Sequence, residues 1–517
     1  MFRAKSPQAS LFATSMLLPE EKLRRLEGTW AWAFRKSALP LIEEEAFRDL
    51  YCEDNGRPNK PVQTVIGVLL LKEMFDLTDE GALGALEYDL RWHVALDLEP
   101  GDAHICQKTL HNFRAKLMKN ERAKVVFEEM TGKIVKALGV SVERQRLDST
   151  HIVSNIAALT RLGLFCETVR VFLRELLRRS RERYESVPAS LRGRYLKEDM
   201  TDSQYDDARS EESHRRISVC ARDVWRLVER FRGDEEITKL ESYELLVRLL
   251  QEQCEEVAEP PGYAEGDADG GEPVAPVVPK EAKKVGSGSL QTPHDPDVTY
   301  SGHKGKGYEV QVAETCGNGE KPEMITHVEV TPSCGSDAAV TVPTVEALAE
   351  RGLQPKELIA DTNYGSTRNV MECERLGTEL VSPVPGPKVA GEQSRHEHVE
   401  ALAVRREYEK GAEFRERYAE RAGIEGTHSE LKRAHGMGRL RIRGLLRVRL
   451  VVYLKALACN VKRMVEYLAE RERKAAEAAS LAICASTVAF AACIWRFTAF
   501  WRRNYRPEAC PSLRLAA

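Results

Sequence analysis

Paired cysteines are absent from this sequence. Its twelve cysteines are scattered singly along 517 residues, and no two of them form a C-x-x-C pair. This spacing argues against zinc ribbons and against the disulfide framework of a secreted protein. The first 22 residues also lack the apolar core and the cleavage site of a signal peptide. These absences fit a reducing, cytoplasmic location.

An excess of charge of one sign is absent as well. Lysine and arginine number 77 and aspartate and glutamate 80, which leaves a net charge of -3. The overall charge therefore neither indicates nor excludes a nucleic-acid partner, and any DNA-binding surface must be local.

Long apolar runs are scarce, with one exception near the C-terminus. Residues 478–495 are 18 residues without a charge, at the lower length limit for a membrane-spanning helix. The stretch is rich in Ala, Ser, Thr and Cys rather than Leu or Ile. We expect residues 471–517 to form an apolar tail that is packed or poorly ordered, in preference to a membrane span.

The first 140 residues predict a helical domain. An apolar run extends from Val62 to Met74, and leucines then recur at helical spacing. A third short helix, over residues 107–114, mixes polar and basic residues, and such a trio resembles a helix-turn-helix. We predict that residues 1–140 form an N-terminal helical DNA-binding domain, with purely structural helix packing as the alternative.

The rest of the chain predicts an α/β fold with a large insertion. A first strand within residues 141–160 is followed by densely charged helices over 161–257. A Pro-, Gly- and Glu-rich stretch over 258–298 predicts a flexible linker. Strands with period-two alternation, a helix and a further strand follow within 299–470. This order predicts a mixed sheet with helices packed on it.

Three carboxylates in this part of the chain have the chemistry of a metal site. Asp148 and Asp361 each lie at or near the end of a predicted strand, and Glu425 lies on a predicted helix. Such a set could hold two Mg²⁺ or Mn²⁺ ions, which take oxygen ligands. Two ions about 3.5–4 Å apart would polarise a phosphodiester and activate its attacking hydroxyl or water. Alternatively, each aspartate caps a turn, and Glu425 belongs to a solvated ion pair.

The residues around Glu425 share one helical face. At about 100° per residue, Tyr418, Arg421, Glu425 and Lys432 fall within an arc of about 60°. Glu430 is the nearest rival for the third acid, but it lies about 140° around the helix from Glu425. The face therefore favours Glu425, flanked by two cations and a phenol.

These four residues match the pattern Y-x(2)-R-x(3)-E-x(6)-K, which resembles the signature of bacterial insertion-sequence DDE transposases. The segments RLDSTHIVSNI and LIADTNYGS resemble the aspartate regions of that family, and residues 61–96 resemble its N-terminal helical domain. The resemblance covers roughly residues 30–160 and 290–470. Gly423 and Gly426 flank Glu425 and would weaken its helix by about 1 kcal/mol each.

The resemblance implies a ribonuclease H-like mixed sheet flanked by helices, with the long helical insertion looped out after the first strand. It implies that Asp148, Asp361 and Glu425 are catalytic and bind two Mg²⁺ or Mn²⁺ ions. The residues that it implies at the DNA backbone are Tyr418, Arg421 and Lys432. Arginine grips a phosphate through two hydrogen bonds, lysine supplies a point charge, and tyrosine is a neutral donor.

A basic run predicts further DNA contacts. From Leu431 to Arg463 there are ten Lys or Arg and no Asp or Glu. Neutralised phosphates release counterions, so such a run predicts salt-dependent binding. We take Arg439, Arg441 and Arg443 as its DNA-binding residues, although a helix with solvated arginines has the same pattern.

The family resemblance implies double-stranded DNA as the partner, both the terminal inverted repeats of an insertion sequence and a target. The implied reaction is metal-dependent cleavage followed by strand transfer, and the joining of two ends implies a homodimer. Two alternatives stay open: a catalytically inactive DNA-binding relative, and a metal-dependent nuclease without strand transfer.

Overall fold

The computed structural model describes residues 1–5, 10–52, 56, 58–196, 210–257, 275–384 and 399–504. In this part of the chain, eight α-helices precede the first strand of the central sheet. They are α1 (Thr14–Leu17), α2 (Glu20–Glu27), α3 (Trp30–Ala33), α4 (Val62–Met74), α5 (Asp79–Tyr88), α6 (Leu90–Ala95), α7 (Gln107–Met118) and α8 (Arg122–Leu138). Helix α4 is buried on nearly all sides, as expected for a helix that is apolar all round.

The first strand, β1 (Arg144–Ile152), leads into a helical insertion with its own hydrophobic core. Its elements are α9 (Arg161–Arg179), α10 (Arg181–Ser186), α11 (Ala189–Tyr195), α12 (Ser210–Phe231), α13 (Glu235–Thr238), α14 (Glu241–Gln253), β2 (Cys254–Glu256) and β3 (Val277–Pro279). The long amphipathic helices α9 and α14 bury their apolar stripes against each other and α12.

The predicted linker over 258–298 differs from the structure where the structure describes it. Residues 258–274 lie outside the described residues. From Ala275 onward several apolar residues are packed: Val277 lies on β3, which pairs with β2, and Ala275 and Leu290 join the core of the insertion. Where a flexible linker was expected, the few apolar residues among the Pro and Gly therefore cover that core, and the limits of the linker remain a prediction.

The remaining elements complete the sheet and its helices. They are β4 (Thr299–Ser301), β5 (Gly305–Thr315), β6 (Ile325–Pro332), α15 (Thr341–Glu350), β7 (Glu357–Ala360), α16 (Thr367–Arg375), β8 (Glu379–Val381), α17 (Val399–Glu409), α18 (Ala412–Ala419), α19 (Gly423–Arg433) and α20 (Leu445–Asn504). The sheet runs β6-β5-β1-β7-β8, with β4 beside the start of β5. Strand β1 is antiparallel to β5 and parallel to β7, so the sheet is mixed.

One continuous hydrophobic core joins the N-terminal helices to the sheet. It extends from Ala31 to Val465 along the chain and includes α4, α8 and the first half of α20. The predicted boundary at residue 140 therefore separates two regions that share a core, and the domain limits remain a prediction.

The second half of α20 projects away from this core. The side chains that the structure describes there are exposed, among them Phe490, Trp495 and Trp501. By length and composition this helix could cross a membrane, and none of its apolar window is buried.

Candidate active site

The sheet brings Asp148 and Asp361 side by side. In the parallel pair of β1 and β7, Leu147 is the partner of Ala360, and this is the last pair of that ladder. Asp148 and Asp361 are the next residues of the two strands. The carboxyl ends of neighbouring parallel strands thus place the two acids together, although β1 itself continues to Ile152 against β5.

The Arg421 guanidinium lies among all three predicted carboxylates. Its Nη2 is 3.2 Å from Asp148 Oδ2 and 3.7 Å from Asp361 Oδ2, and its Nη1 is 3.9 Å from Glu425 Oε1. The structure therefore places the two strand aspartates, Asp148 and Asp361, and the helix glutamate, Glu425, around a single cation.

Burial and neighbouring carboxylates change the pKa of Asp148. Burial raises the pKa of this carboxyl, and the nearby Asp361 and Asp337 raise it further. The Ser149 backbone N–H, 2.9 Å from Oδ1, and Arg421 act in the opposite direction. Three acids near one arginine leave an excess of negative charge, which a divalent cation would neutralise.

Two hydrogen bonds hold Asp361 in position. Its Oδ1 accepts a hydrogen bond from Asn363 N–H at 3.3 Å, and its carbonyl accepts one from Ser382 Oγ at 2.7 Å. Gly365 passes so close to Ser382 that a Cβ there would clash with its hydroxyl. The turn that was the alternative reading for this aspartate and its place beside Asp148 are thus both present.

The helix that carries Glu425 is interrupted just before it. Residues 420–422 form a 3₁₀ turn between α18 and α19, so Tyr418 and Glu425 lie on different helices. Gly423 is the first residue of α19, and a Cβ at this position would overlap the Arg146 guanidinium. That guanidinium donates from Nη1 to the Glu420 carbonyl at 2.9 Å. Gly426, by contrast, faces open space.

The two glycines should therefore respond oppositely to alanine. Gly426→Ala should raise the free energy of unfolding by about 0.5–1 kcal/mol, because it removes backbone entropy from the unfolded chain. Gly423→Ala should lower it by roughly 1–3 kcal/mol through overpacking against Arg146. Urea unfolding of both variants checks this, and equal shifts would contradict the assigned contact.

Tyr418 lies near Asp361 and Asp148, whereas the charged neighbours of Lys432 are Glu309 and Lys304. The Tyr418 ring stacks on Phe414 at 5.7 Å between centroids, and burial together with Asp361 and Asp148 raises its pKa. Burial lowers the pKa of Lys432, as does the nearby Lys304. Neither side chain makes a hydrogen bond or ion pair within the described residues, so both are available to a ligand.

Glu425 and Glu430 occupy different environments. Glu425 is 72% exposed at the mouth of the site. Glu430 points into the protein, where its Oε2 lies 2.9 Å from Arg463 Nη2. This orientation favours Glu425 as the third acid.

The three arginines of the basic run differ in their partners. Arg441 makes two 3.1 Å contacts with the Asp76 carboxylate at the end of α4. Arg439 and Arg443 are exposed, and neither side chain has a partner among the residues that the structure describes. Arg441 thus attaches the loop to the N-terminal helices, whereas Arg439 and Arg443 extend into solvent.

Sequence reasoning missed the polar face of β5. Glu309 is buried and lies 3.1 Å from Lys304 and 3.4 Å from His151. Gln311 Oε1 accepts a hydrogen bond from the Tyr364 hydroxyl, and its Nε2 donates to Asp337 at 3.0 Å. The signal was present, since Glu and Gln alternate with apolar residues in GYEVQVAET, a pattern that usually indicates a solvated face.

A missed histidine lies in the same region. Burial lowers the pKa of His428 to about 4, with Lys432, Arg421 and Lys304 acting in the same direction. Its ring is therefore neutral near pH 7.

Two comparisons with protein families bear on this site. A family model described as a transposase DDE domain matches residues 387–465, and one described as a transposase domain (DUF772) matches residues 19–116. These matches support an insertion-sequence DDE transposase. The transposase DDE match includes Tyr418, Arg421, Glu425 and Lys432, while their spacing signature remains a prediction. No curated protein and no solved structure matches the chain.

Proposed function

We propose that this transposase binds the terminal inverted repeats of its element, cleaves the DNA there and joins the ends to a target. The observation that carries the proposal is the approach of Asp148, Asp361 and Glu425 to within 3.2–3.9 Å of the Arg421 guanidinium. Two-metal hydrolysis or transfer at a phosphodiester uses such a carboxylate set, and the Arg421 guanidinium beside it suits a phosphate.

The strand order supports a ribonuclease H-like sheet as part of this proposal. In that fold, an antiparallel hairpin next to the first strand is followed by two strands parallel to the first. The chain has β5 and β6 on one side of β1 and the parallel strands β7 and β8 on the other.

The donor set fits two Mg²⁺ or Mn²⁺ ions. Asp148, Asp361 and Glu425 would hold them, since carboxylate oxygens are the ligands these cations prefer. When bound, the ions would supply Lewis-acid activation of the nucleophile and stabilisation of the leaving oxygen. With the ions bound, the Arg421 guanidinium would contact the scissile phosphate instead of the carboxylates, because the guanidinium and the ions cannot occupy the same place.

The residues around the acids have defined tasks in this proposal. Tyr418 presents a neutral hydroxyl and Lys432 a charge to the DNA backbone, while the stacked Phe414 orients the Tyr418 ring. The proposal also includes double-stranded DNA as the partner, a homodimer as the assembly and the cytoplasm as the location.

The test is cleavage and joining of a labelled duplex that carries the DNA flanking this gene, with Mg²⁺ or Mn²⁺. Joined products that disappear in Asp361→Ala support the proposal. Cleavage without joining would indicate a nuclease, and tight binding without products an inactive relative.

The basic run makes a separate prediction about affinity. Arg439→Ala and Arg443→Ala should each weaken binding to any sequence and reduce the slope of log affinity against log salt by about 1. Arg441→Ala should change the slope less, because Asp76 already occupies its guanidinium. Binding by fluorescence anisotropy over a salt series measures this. A changed sequence preference with an unchanged slope would mean that Arg439 and Arg443 read bases.

A further inference from the structure

Three possible metal ligands lie close together near α19, the helix that carries Glu425. They are Glu430 on α19, His435 just after it and Cys459 on α20. One donor atom from each lies within 4.8 Å of the others. This cluster takes no part in the proposed active site.

His435 has a ring nitrogen without a partner. The side chain is fully buried, and its Nδ1 lies 3.0 Å from the Glu73 carbonyl oxygen. A carbonyl only accepts, so Nδ1 carries a proton; in the neutral ring Nε2 is then the nitrogen with the lone pair. That Nε2 is buried and has no hydrogen-bond partner within the described residues. Metal-bound histidines are held in this way by a backbone carbonyl.

One carboxylate oxygen of Glu430 makes no hydrogen bond within the described residues. Arg463 donates from Nη2 at 2.9 Å and from Nε at 3.0 Å to Oε2. The other oxygen, Oε1, lies 3.9 Å from His435 Nε2. Lys462 Nζ is 3.6 Å from the same Oε1, beyond hydrogen-bonding distance.

We propose that Glu430, His435 and Cys459 bind one Zn²⁺ ion. Thiolate, imidazole and carboxylate are the ligands that zinc takes in proteins. The Cys459 thiol would release its proton on binding, and the thiolate and carboxylate then balance the two positive charges. Zinc–ligand bonds of about 2.0–2.3 Å place ligands about 3.3–3.8 Å apart. Donors that lie within 4.8 Å of one another would therefore approach by up to about 1–1.5 Å on binding. A water molecule completes the four ligands.

The ion would join α19 to α20. Helix α19 carries Glu425 and is weakened by Gly426 in its second turn, so a metal link to the long, buried first half of α20 would hold it in place. The site is structural, because none of its ligands reaches the three acids around Arg421.

Zinc content tests the proposal. The full chain is incubated with Zn²⁺, desalted and measured by mass spectrometry of metals, in an Asp361→Ala background that weakens the carboxylate site. We expect about one zinc per chain, lost in Cys459→Ala and in His435→Gln. Cys373→Ala is the matched control, since Cys373 is equally buried elsewhere in the core. Zinc that is absent from the parent, or kept by Cys459→Ala, overturns the site.

A second measurement, with cobalt, does not depend on whether the Cys459 and His435 variants fold. Co²⁺ added to the Asp361→Ala chain should produce the near-ultraviolet thiolate-to-cobalt charge-transfer band, which carboxylate ligands cannot give. A missing band overturns the proposal even if Cys459→Ala fails to fold. Neither readout involves DNA, so failure here and failure of DNA cleavage are distinguishable.

Discussion

Replacing Glu425 with glutamine should abolish DNA cleavage while leaving DNA affinity nearly unchanged. Glutamine keeps the size of the side chain but loses the anionic oxygen that would bind a cation. Charge stabilisation by a catalytic metal is worth several kcal/mol, and each 1.36 kcal/mol is tenfold in rate, so the loss should reach about a thousand-fold or more. Cleavage of the labelled duplex gives the rate, and anisotropy gives the affinity.

Two further glutamate variants make this result specific. Glu413→Gln, in the exposed first turn of α18, should cleave at the parental rate. Glu430→Gln should lower stability through the loss of its pairing with Arg463, with retained activity in the folded fraction. If Glu425→Gln cleaves normally and Glu430→Gln does not, the third acid has been assigned to the wrong glutamate.

The positions of the three acids could be predicted from local patterns. The apolar run before Asp361 and the strand-like segment around Asp148 both indicated strands, and these became β7 and β1. Adjacent parallel strands bring residues at equivalent positions together without any further information. The sequence could not indicate that β1 continues past Asp148, because pairing with β5 depends on a strand more than 150 residues away.

Long-range contacts account for most of what was missed. The helix weakness at Gly423 is compensated by the Arg146 guanidinium, which packs against its backbone. Arg441 has the same local sequence character as Arg443, yet only Arg441 meets Asp76, a residue far away in the chain. Such pairings follow from tertiary packing, which composition and periodicity do not encode.

Replacing Glu73 with glutamine should cause the largest loss of stability. Glu73 is 3% exposed and lies 2.7 Å from the ammonium groups of both Lys72 and Lys455. Glutamine would leave two buried cations facing a neutral group, and removing one partner of a buried pair costs about 3–5 kcal/mol. Asp79 and Asp76 stay near the two lysines, so we expect the lower end of that range. Urea unfolding measures it, with the exposed Glu80→Gln as control.

The position of this network explains why its loss should unfold the chain as a whole. Glu73 lies within the residues matched by one transposase model and Lys455 within those matched by the other, so the ion pair joins both regions through one core. The triple variant Lys72→Met, Glu73→Met, Lys455→Met should recover most of the loss, because apolar residues of similar volume replace buried ions at little cost. In that variant Asp76 still forms its ion pair with Arg441, and Asp79 still forms its ion pair with Arg114. A triple variant as unstable as Glu73→Gln would show that packing, and not the unpaired charge, causes the loss.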